Sequence, residues 1–159
     1  MPAGPETWLT PTQQRTWLLF LRASGHLMAE LDRQLQHDAG IPHSWYAVMA
    51  VLSNQDDHSI RQKDLAAIID FSFSRLSHAV SRLAARGWVE RRPHPTDGRA
   101  GLVVLTDLGA EILAEFKPGH VAAVRRHFVD PLTPRQLDEF GRSLAKILAS
   151  LPADPLDLA

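Results

Sequence analysis

The sequence predicts a mainly α-helical protein with one small β-hairpin. Three observations support this fold class. Similar helix-start signals lie near both ends of the chain, two short helical segments joined by a tight turn lie in its middle, and two β-rich arms follow them. The 159 residues, 45% of them apolar, are enough for one domain or for two small lobes that share a core.

The first helix begins with a capping box. Thr10 stands at the N-cap, Pro11 at the first helical position and Gln13 three residues after the cap, so that side chains satisfy free backbone N–H groups. Recurring apolar residues extend this helix to about Asp38. A second helix is predicted over His43–Asn54, and a polar turn follows it.

The middle of the chain contains the two short helices. The first is predicted over residues 61–69 and is broken at residues 70–72. Ser72 then caps a second helix over residues 73–86, and Gly87 ends it as the left-handed residue after the C-cap. Two helices joined by such a short turn form a helix-turn-helix.

The last third of the chain returns to long helices. Thr106 caps one that runs toward Phe128, and Pro118-Gly119 is predicted to kink or break it. The segment 133–136 (Thr-Pro-Arg-Gln) repeats the first helix start and predicts a final helix to about residue 150. The tail, residues 151–159, is predicted to be frayed.

Charge is distributed unevenly along the chain. Its net charge is −1, but residues 61–99 hold eight basic and four acidic side chains, a charge of +4 that leaves −5 for the remainder. A basic segment between acidic ends is typical of a polyanion-binding unit, although an ordinary solvated surface is the alternative.

Composition excludes several classes of protein. The absence of cysteine removes disulfides, thiol redox sensing and thiolate metal sites. No apolar run approaches the length of a membrane span, so no membrane partner is predicted. The first residues do not resemble a signal peptide, and a cytoplasmic location is expected.

The second helix of the helix-turn-helix has the composition of a DNA-reading surface. Its inward face is predicted to hold Leu76, Ala79, Val80 and Leu83. The opposite face is polar, basic and free of acids, and consists of Ser74, Arg75, Ser77, His78, Ser81 and Arg82. Such a face can approach phosphate, and its Arg and Ser side chains can contact base edges in the major groove. A surface helix that lacks acids by chance is the alternative.

The hairpin adds a second predicted DNA contact. Its arms are residues 88–92 (WVERR) and 102–105 (LVVL), and they flank an Asp-Gly turn. Arg99 suits the negative potential of a narrow minor groove, and Asp97 can fix its guanidinium by a charge-assisted hydrogen bond. The hairpin therefore predicts a wing beside the helix-turn-helix.

These motifs together resemble the MarR family of bacterial transcription regulators. The matching pieces are Leu65-Ala66, Ser72, Leu83 to Gly87, Val89 to Arg91, Asp97-x-Arg99 and Leu105-Thr106-x-x-Gly109. The flanking helices agree in number and order, so the resemblance covers roughly residues 10–150. It implies a winged helix-turn-helix core with N- and C-terminal dimerisation helices.

The resemblance also implies roles. It predicts a homodimer built from the first, fifth and sixth helices, with residues 10–38 and 106–150 as dimerisation helices and residues 42–105 as the DNA-binding lobe. Arg99 is assigned to the minor groove with Asp97 as its buttress. The full predicted DNA-binding set is Ser72, Ser74, Arg75, Ser77, His78, Ser81, Arg82, Asp97 and Arg99.

Three positions depart from the family pattern. Asp70 stands where many members have Gly, and Asp tolerates the left-handed conformation. Phe73 occupies a usually polar position, where it can contact a thymine methyl group or pack on a neighbouring side chain. Pro118-Gly119 interrupts the fifth helix and leaves the dimer geometry open.

The function predicted is a non-enzymatic repressor that binds a pseudo-palindromic operator on double-stranded DNA as a homodimer. Half-sites about one helical turn, roughly 10 base pairs, apart are expected. The resemblance implies a small anionic or phenolic effector, for which the candidate contacts are Trp17, His26, His43, Trp45 and Tyr46. Placement of these residues in the core is the alternative.

Three other functions are alternatives to this one. A histidine-carboxylate zinc sensor of the same fold remains open, although neither of the two closest histidine pairs, His37/His43 and His120/His127, has the i, i+4 spacing of a zinc clamp. A small hydrolase is disfavoured because no nucleophile elbow or phosphate loop is present. A winged helix used only for protein contacts is disfavoured because the outer face is polar. No cofactor and no metal are predicted.

Overall fold

A computed structural model describes residues 8–94 and 101–151. Its elements in chain order are α1 (Pro11–Ala39), α2 (His43–Ser53), β1 (Ser59–Arg61), α3 (Gln62–Ile68), α4 (Phe73–Ala85), β2 (Val89–Pro93), β3 (Gly101–Leu105), α5 (Asp107–Val124), a π-helical turn (Arg125–Val129) and α6 (Pro134–Ser150). Within these residues, no helix combines the length and hydropathy needed to cross a membrane. The predicted fold class, mainly α with a small β-wing, is confirmed.

The predicted capping residues begin the long helices. Thr10 Oγ1 accepts a hydrogen bond from the Gln13 N–H at 3.3 Å, and the Thr10 N–H donates to Gln13 Oε1 at 2.8 Å. Thr133 and Gln136 form the same capping box at α6. The helix α1 ends at Gly40, whose φ of 63° is left-handed. Both helix starts therefore follow from local sequence alone.

The core lies between α2, α3, α4 and the sheet. The predicted inward face of α4 is buried in full: Leu76, Ala79, Val80 and Leu83. The ends of α1 and α5 nearest the lobe contribute Leu35 and Leu113 to the same core. Burial of this face fixes which side of α4 remains outside.

The sheet has three strands, where the sequence predicted two. Its order is β1-β3-β2, and both pairings are antiparallel. The strand β1 was not predicted because its three residues carry no periodic signal, and it exists through pairing with β3, as in Ile60 opposite Val103. As a result α3 begins at Gln62, with Arg61 as its N-cap residue.

The wing is joined to α5 by a tight junction. Gly87 adopts the predicted left-handed conformation after α4, with φ 72°. Thr106 caps α5 through the Gly109 N–H and donates its hydroxyl to the Gly87 carbonyl at 2.7 Å. The Thr106 N–H donates to the Trp88 carbonyl at 3.1 Å. The start of α5 is therefore tied to the end of α4 and the start of β2.

Of the two outcomes predicted at Pro118-Gly119, a kink or a break, the break is wrong, and the kink stays a prediction. The helix α5 continues through Pro118 to Val124 and is followed directly by the π-helical turn. A Cβ on Gly119 would come within 3.3 Å of Asp38 and Gln34 of α1, so the glycine allows close helix packing. Proline removes a single backbone hydrogen bond, and contacts with α1 on the next turn hold the helix together.

Candidate nucleic-acid interface

The turn between α3 and α4 has the geometry of a helix-turn-helix. Asp70 has a φ of 53°, in the left-handed region, as the sequence predicted for this residue. The Phe71 N–H donates to the Ala66 carbonyl at 3.0 Å and closes the turn. Ser72 Oγ then accepts from the Arg75 N–H at 3.3 Å and caps α4. The turn and the cap together fix where α4 begins, and burial of its apolar face fixes which side is exposed.

The predicted outer face of α4 is brought together on one side of the helix. Five of its six residues are exposed and Ser77 is half-buried: Ser74, Arg75, Ser77, His78, Ser81 and Arg82. The helix contains no acidic residue. Phe73, its first residue, is 57% exposed, so both alternatives, contact with a thymine methyl group and packing on a neighbouring side chain, stay predictions.

Arg75 is held in place by an aromatic ring. Its guanidinium carbon lies 3.9 Å from the centre of the Phe71 ring, and Phe71 itself is partly buried against the core. Such a cation–π contact orients the arginine without using its hydrogen-bond donors. This contact leaves the guanidinium N–H groups of Arg75 available, and it is through such groups that an arginine can bind guanine.

A brace between the wing and α4 was not predicted. Arg91 of β2 donates to the Ser77 carbonyl at 3.1 Å, to Ser81 Oγ at 3.0 Å and to Ser77 Oγ at 3.4 Å. Ser81 Oγ in turn donates to the Ser77 carbonyl at 2.8 Å. The two serines thus face the wing and have polar partners there, whereas the described residues offer no side-chain hydrogen bond to Ser74 or His78.

Arg86 forms a second interaction that was not predicted from the sequence. Its guanidinium carbon lies 4.8 Å from the centre of the Trp45 ring and 4.9 Å from that of Trp88. Arg86 follows α4, so this sandwich joins the end of that helix to α2 and to the wing. The partial burial of Trp45 against the core is part of the same arrangement.

The predicted wing-tip pair lies outside the described residues. Asp97 and Arg99 both fall between residues 95 and 100, so their roles stay predictions. The base of the hairpin is described: Pro93 pairs with Gly101, and Arg92 forms an ion pair with Glu90. Arg92 and Arg91 alternate along β2, and only Arg91 has hydrogen bonds to α4.

The five predicted effector contacts do not form one site. Trp17 and His26 are exposed on α1, where Trp17 stacks on Phe20 at 6.1 Å between ring centres. Trp45 packs against Arg86. Only His43 and Tyr46 lie together, with ring centres 6.5 Å apart.

His120 of α5 completes a cluster with those two residues. Its ring centre is 4.2 Å from Tyr46 and 5.4 Å from His43, and its Nδ1 is 3.3 Å from Gln34 Oε1. Burial, with a smaller contribution from His43, lowers the pKa of His120 to about 4. Burial also lowers the pKa of His43 and raises that of Tyr46. All three groups are therefore neutral at pH 7, where α1, α2 and α5 meet.

No metal cluster is present in the described part of the chain. Within residues 8–94 and 101–151, no three His, Asp or Glu side chains lie close enough to hold a metal ion. His43 and His120 come together across helices, but as the aromatic cluster described above.

Comparison with known proteins identifies the family. A sequence model described as "MarR family" matches residues 39–100. The structure superposes with a TM-score of 0.85 on Sco3205, a MarR family transcriptional regulator from Streptomyces coelicolor solved in complex with DNA. The two are 41% identical, and the match covers 92% of this chain and 91% of that one.

Two further relatives agree. AbsC, a MarR family transcriptional regulator from Streptomyces coelicolor, is 36% identical with a TM-score of 0.85, over 89% of this chain and 95% of its own. The transcriptional repressor MprA of Escherichia coli is 25% identical over 137 residues, which is 84% of this chain and 77% of MprA. These relatives are regulators and not enzymes, as expected for this chain. The chain described here is a member of the MarR family of transcriptional regulators.

Proposed function

We propose that this protein is a repressor that binds a pseudo-palindromic DNA site as a homodimer. The observation that carries the proposal is the outer face of α4, which is polar, basic and acid-free and is braced against the wing. Sco3205 was solved on DNA, and MprA is named a repressor, which supports the same role here. A DNA target also favours the expected cytoplasmic location.

The residues of the interface divide into three roles. Arg75, His78 and Arg82 reach from the exposed side of α4 toward base edges and phosphates, with Ser72 and Ser74 beside them. Arg99, buttressed by Asp97, is assigned to the minor groove. Arg91 positions the wing on α4 through its hydrogen bonds to Ser77 and Ser81. The Ser81 hydroxyl also donates to the Ser77 carbonyl, so both serines are assigned to this contact and not to DNA.

The first test is DNA binding as a function of salt. If the two lobes of a dimer neutralise about six phosphates, affinity for a selected operator falls about a thousandfold between 50 and 200 mM salt. Arg75→Ala is expected to relax the preference at one base pair per half-site, at a cost of about 1–3 kcal/mol. Fluorescence anisotropy with single-substitution operators measures both effects.

The control removes the same charge far from the lobe. Arg142 lies on α6, where it pairs with Asp138. The variant Arg142→Ala should leave the operator preference unchanged. Arg99→Ala is expected to weaken binding to most sites, with any lost selectivity confined to AT-rich flanks. A flat salt response, or wild-type binding by both Arg75→Ala and Arg99→Ala, contradicts the proposed DNA surface.

The brace makes a separate prediction. Arg91→Ala is expected to lower affinity for the operator about tenfold while affinity for unrelated DNA falls little, because the wing loses its fixed position on α4. Arg92→Ala removes the same charge from the next residue of β2 and serves as the matched control. Equal losses on both DNAs, with a salt slope reduced by about one, would show instead that Arg91 is a phosphate contact.

The homodimer is supported by apolar surface that the described residues, 8–94 and 101–151, leave exposed. Every residue from Trp8 to Ala23 is exposed, and α6 has no buried residue although one of its faces is apolar. A groove of about 520 Å³ lies between α1 and the C-terminal segment, lined by side chains that include Leu19, Phe20, Phe128, Phe140 and Leu144. An apolar surface of this extent on α1 and α6 fits a second copy of the chain.

An effector is proposed at the junction of the lobe with the long helices. CouR from Rhodococcus jostii, 22% identical, was solved with p-coumaroyl-CoA bound. In this chain the neutral cluster of His43, Tyr46 and His120 offers aromatic and hydrogen-bonding groups at that junction. Titration of the operator complex with small phenolic and carboxylic acids tests the proposal, and loss of any response in His120→Phe would assign it to this cluster.

A further inference from the structure

The helix-turn-helix exposes two large apolar side chains. Ile68, at the end of α3, and Phe73, at the start of α4, are each 57% exposed. Among the described residues, the other large exposed apolar side chains lie on α1, α5 and α6 or directly beside α1 and α6. The lobe therefore buries its apolar residues well except on either side of its turn.

Phe73 differs from its neighbour Phe71. The Phe71 ring is partly buried against the core and lies under the Arg75 guanidinium. Phe73 is the first residue of α4, directly after the Ser72 cap, and its ring extends into solvent. It lies one helical turn before Ser77, the residue that Arg91 binds from the wing. Phe73 thus stands on the wing side of the helix end that leads into a DNA groove.

We propose that Phe73 reads a thymine by contact with its 5-methyl group in the major groove. The N-terminal residues of a recognition helix are those that reach base edges. Thymine is the base that presents an apolar group there, and apolar side chains, phenylalanine included, contact it. The inference rests on the proposed DNA-binding function and names one element of its specificity.

The surroundings of Phe73 favour a base over a protein partner. The residues beside Phe73 in the sequence, Ser72, Ser74 and Arg75, are polar and exposed, and so is His78, one turn further along α4. A protein interface needs several hundred square ångströms with an apolar centre, which a single ring among hydroxyl and guanidinium groups does not provide. A thymine methyl group is of the size that one ring covers.

The test pairs a protein variant with an atomic change in the DNA. An operator is selected from random duplexes with the wild-type protein, and each thymine is then replaced by deoxyuridine, which removes only the 5-methyl group. Each half-site is expected to contain one thymine at which the replacement matters. Replacing it in one half-site should weaken wild-type binding about fourfold, and replacing it in both should weaken binding about fifteenfold. Phe73→Ala is expected to bind the thymine operator correspondingly less well and to show no further loss on deoxyuridine.

Ile68→Ala is the matched control, because Ile68 is equally exposed in the same lobe but lies on α3. It should keep the full sensitivity to deoxyuridine at that position. Equal deoxyuridine effects in wild type and Phe73→Ala at every thymine overturn the inference while leaving the DNA-binding function intact. Absence of sequence-selective binding by the wild-type protein overturns both. Unchanged thermal unfolding of Phe73→Ala excludes a folding defect.

Discussion

Gly109→Ala is expected to destabilise the protein by about 3 kcal/mol, the upper end of the usual cost of overpacking. A Cβ at this position would lie 2.0 Å from the Trp88 carbonyl oxygen, 2.9 Å from its carbon and 2.8 Å from Leu105 Cδ1. The leucine can change rotamer, but the carbonyl is backbone and accepts a hydrogen bond from the Thr106 N–H. Either the start of α5 or the start of β2 must therefore move.

Gly25→Ala provides the control for the methyl group itself. Gly25 lies within α1, and a Cβ there would meet nothing within 4 Å. Alanine is expected to stabilise this helix by up to about 1 kcal/mol through helix propensity. Urea unfolding of wild type, Gly109→Ala and Gly25→Ala, at several protein concentrations, measures the free energy of unfolding of each. Wild-type stability of Gly109→Ala would contradict the close packing of α5 on the wing.

The features predicted from the sequence are those fixed by local chemistry. Thr10, Ser72, Thr106 and Thr133 each cap a helix, because a cap depends on a side chain and the backbone two or three residues later. The inner face of α4 followed from apolar residues at helical spacing. These features sufficed to predict the helix-turn-helix and its exposed polar side.

The features that were missed depend on contacts between distant parts of the chain. The strand β1 exists because β3 lies beside it, and Arg91 reaches α4 only once the wing has folded. Residue type alone also does not tell where an aromatic side chain lies. Trp17 and Trp45 are both tryptophans on helices, yet Trp17 is exposed on α1 and Trp45 lies against Arg86. His120 was not predicted because its partners lie on α1 and α2.

The helix α6 has one charged face and one apolar face. Its charged residues pair along one face, as in Arg135 with Glu139 and Arg142 with Asp138. The opposite face is apolar and exposed, and Phe140 contacts Phe128 across the groove at 6.1 Å between ring centres. An apolar helix face that stays largely in solvent gains little packing energy, whereas a second copy of the chain would bury the face.

Phe140→Asp is therefore expected to convert the proposed homodimer to monomers at micromolar concentration, because a carboxylate would be buried in an apolar interface. A wild-type protein that is itself monomeric at this concentration would contradict the dimer. Operator affinity should fall by about a hundredfold or more, since each lobe would then bind its half-site without the advantage of linkage to the other. Lys146→Asp places the same side chain on the charged face of α6 and should remain a dimer with wild-type affinity. Analytical ultracentrifugation measures the first effect, and fluorescence anisotropy measures the second. If Phe140→Asp is still a dimer, the interface does not include this face of α6. If it is a monomer that binds the full operator as tightly as wild type, one lobe suffices for DNA binding.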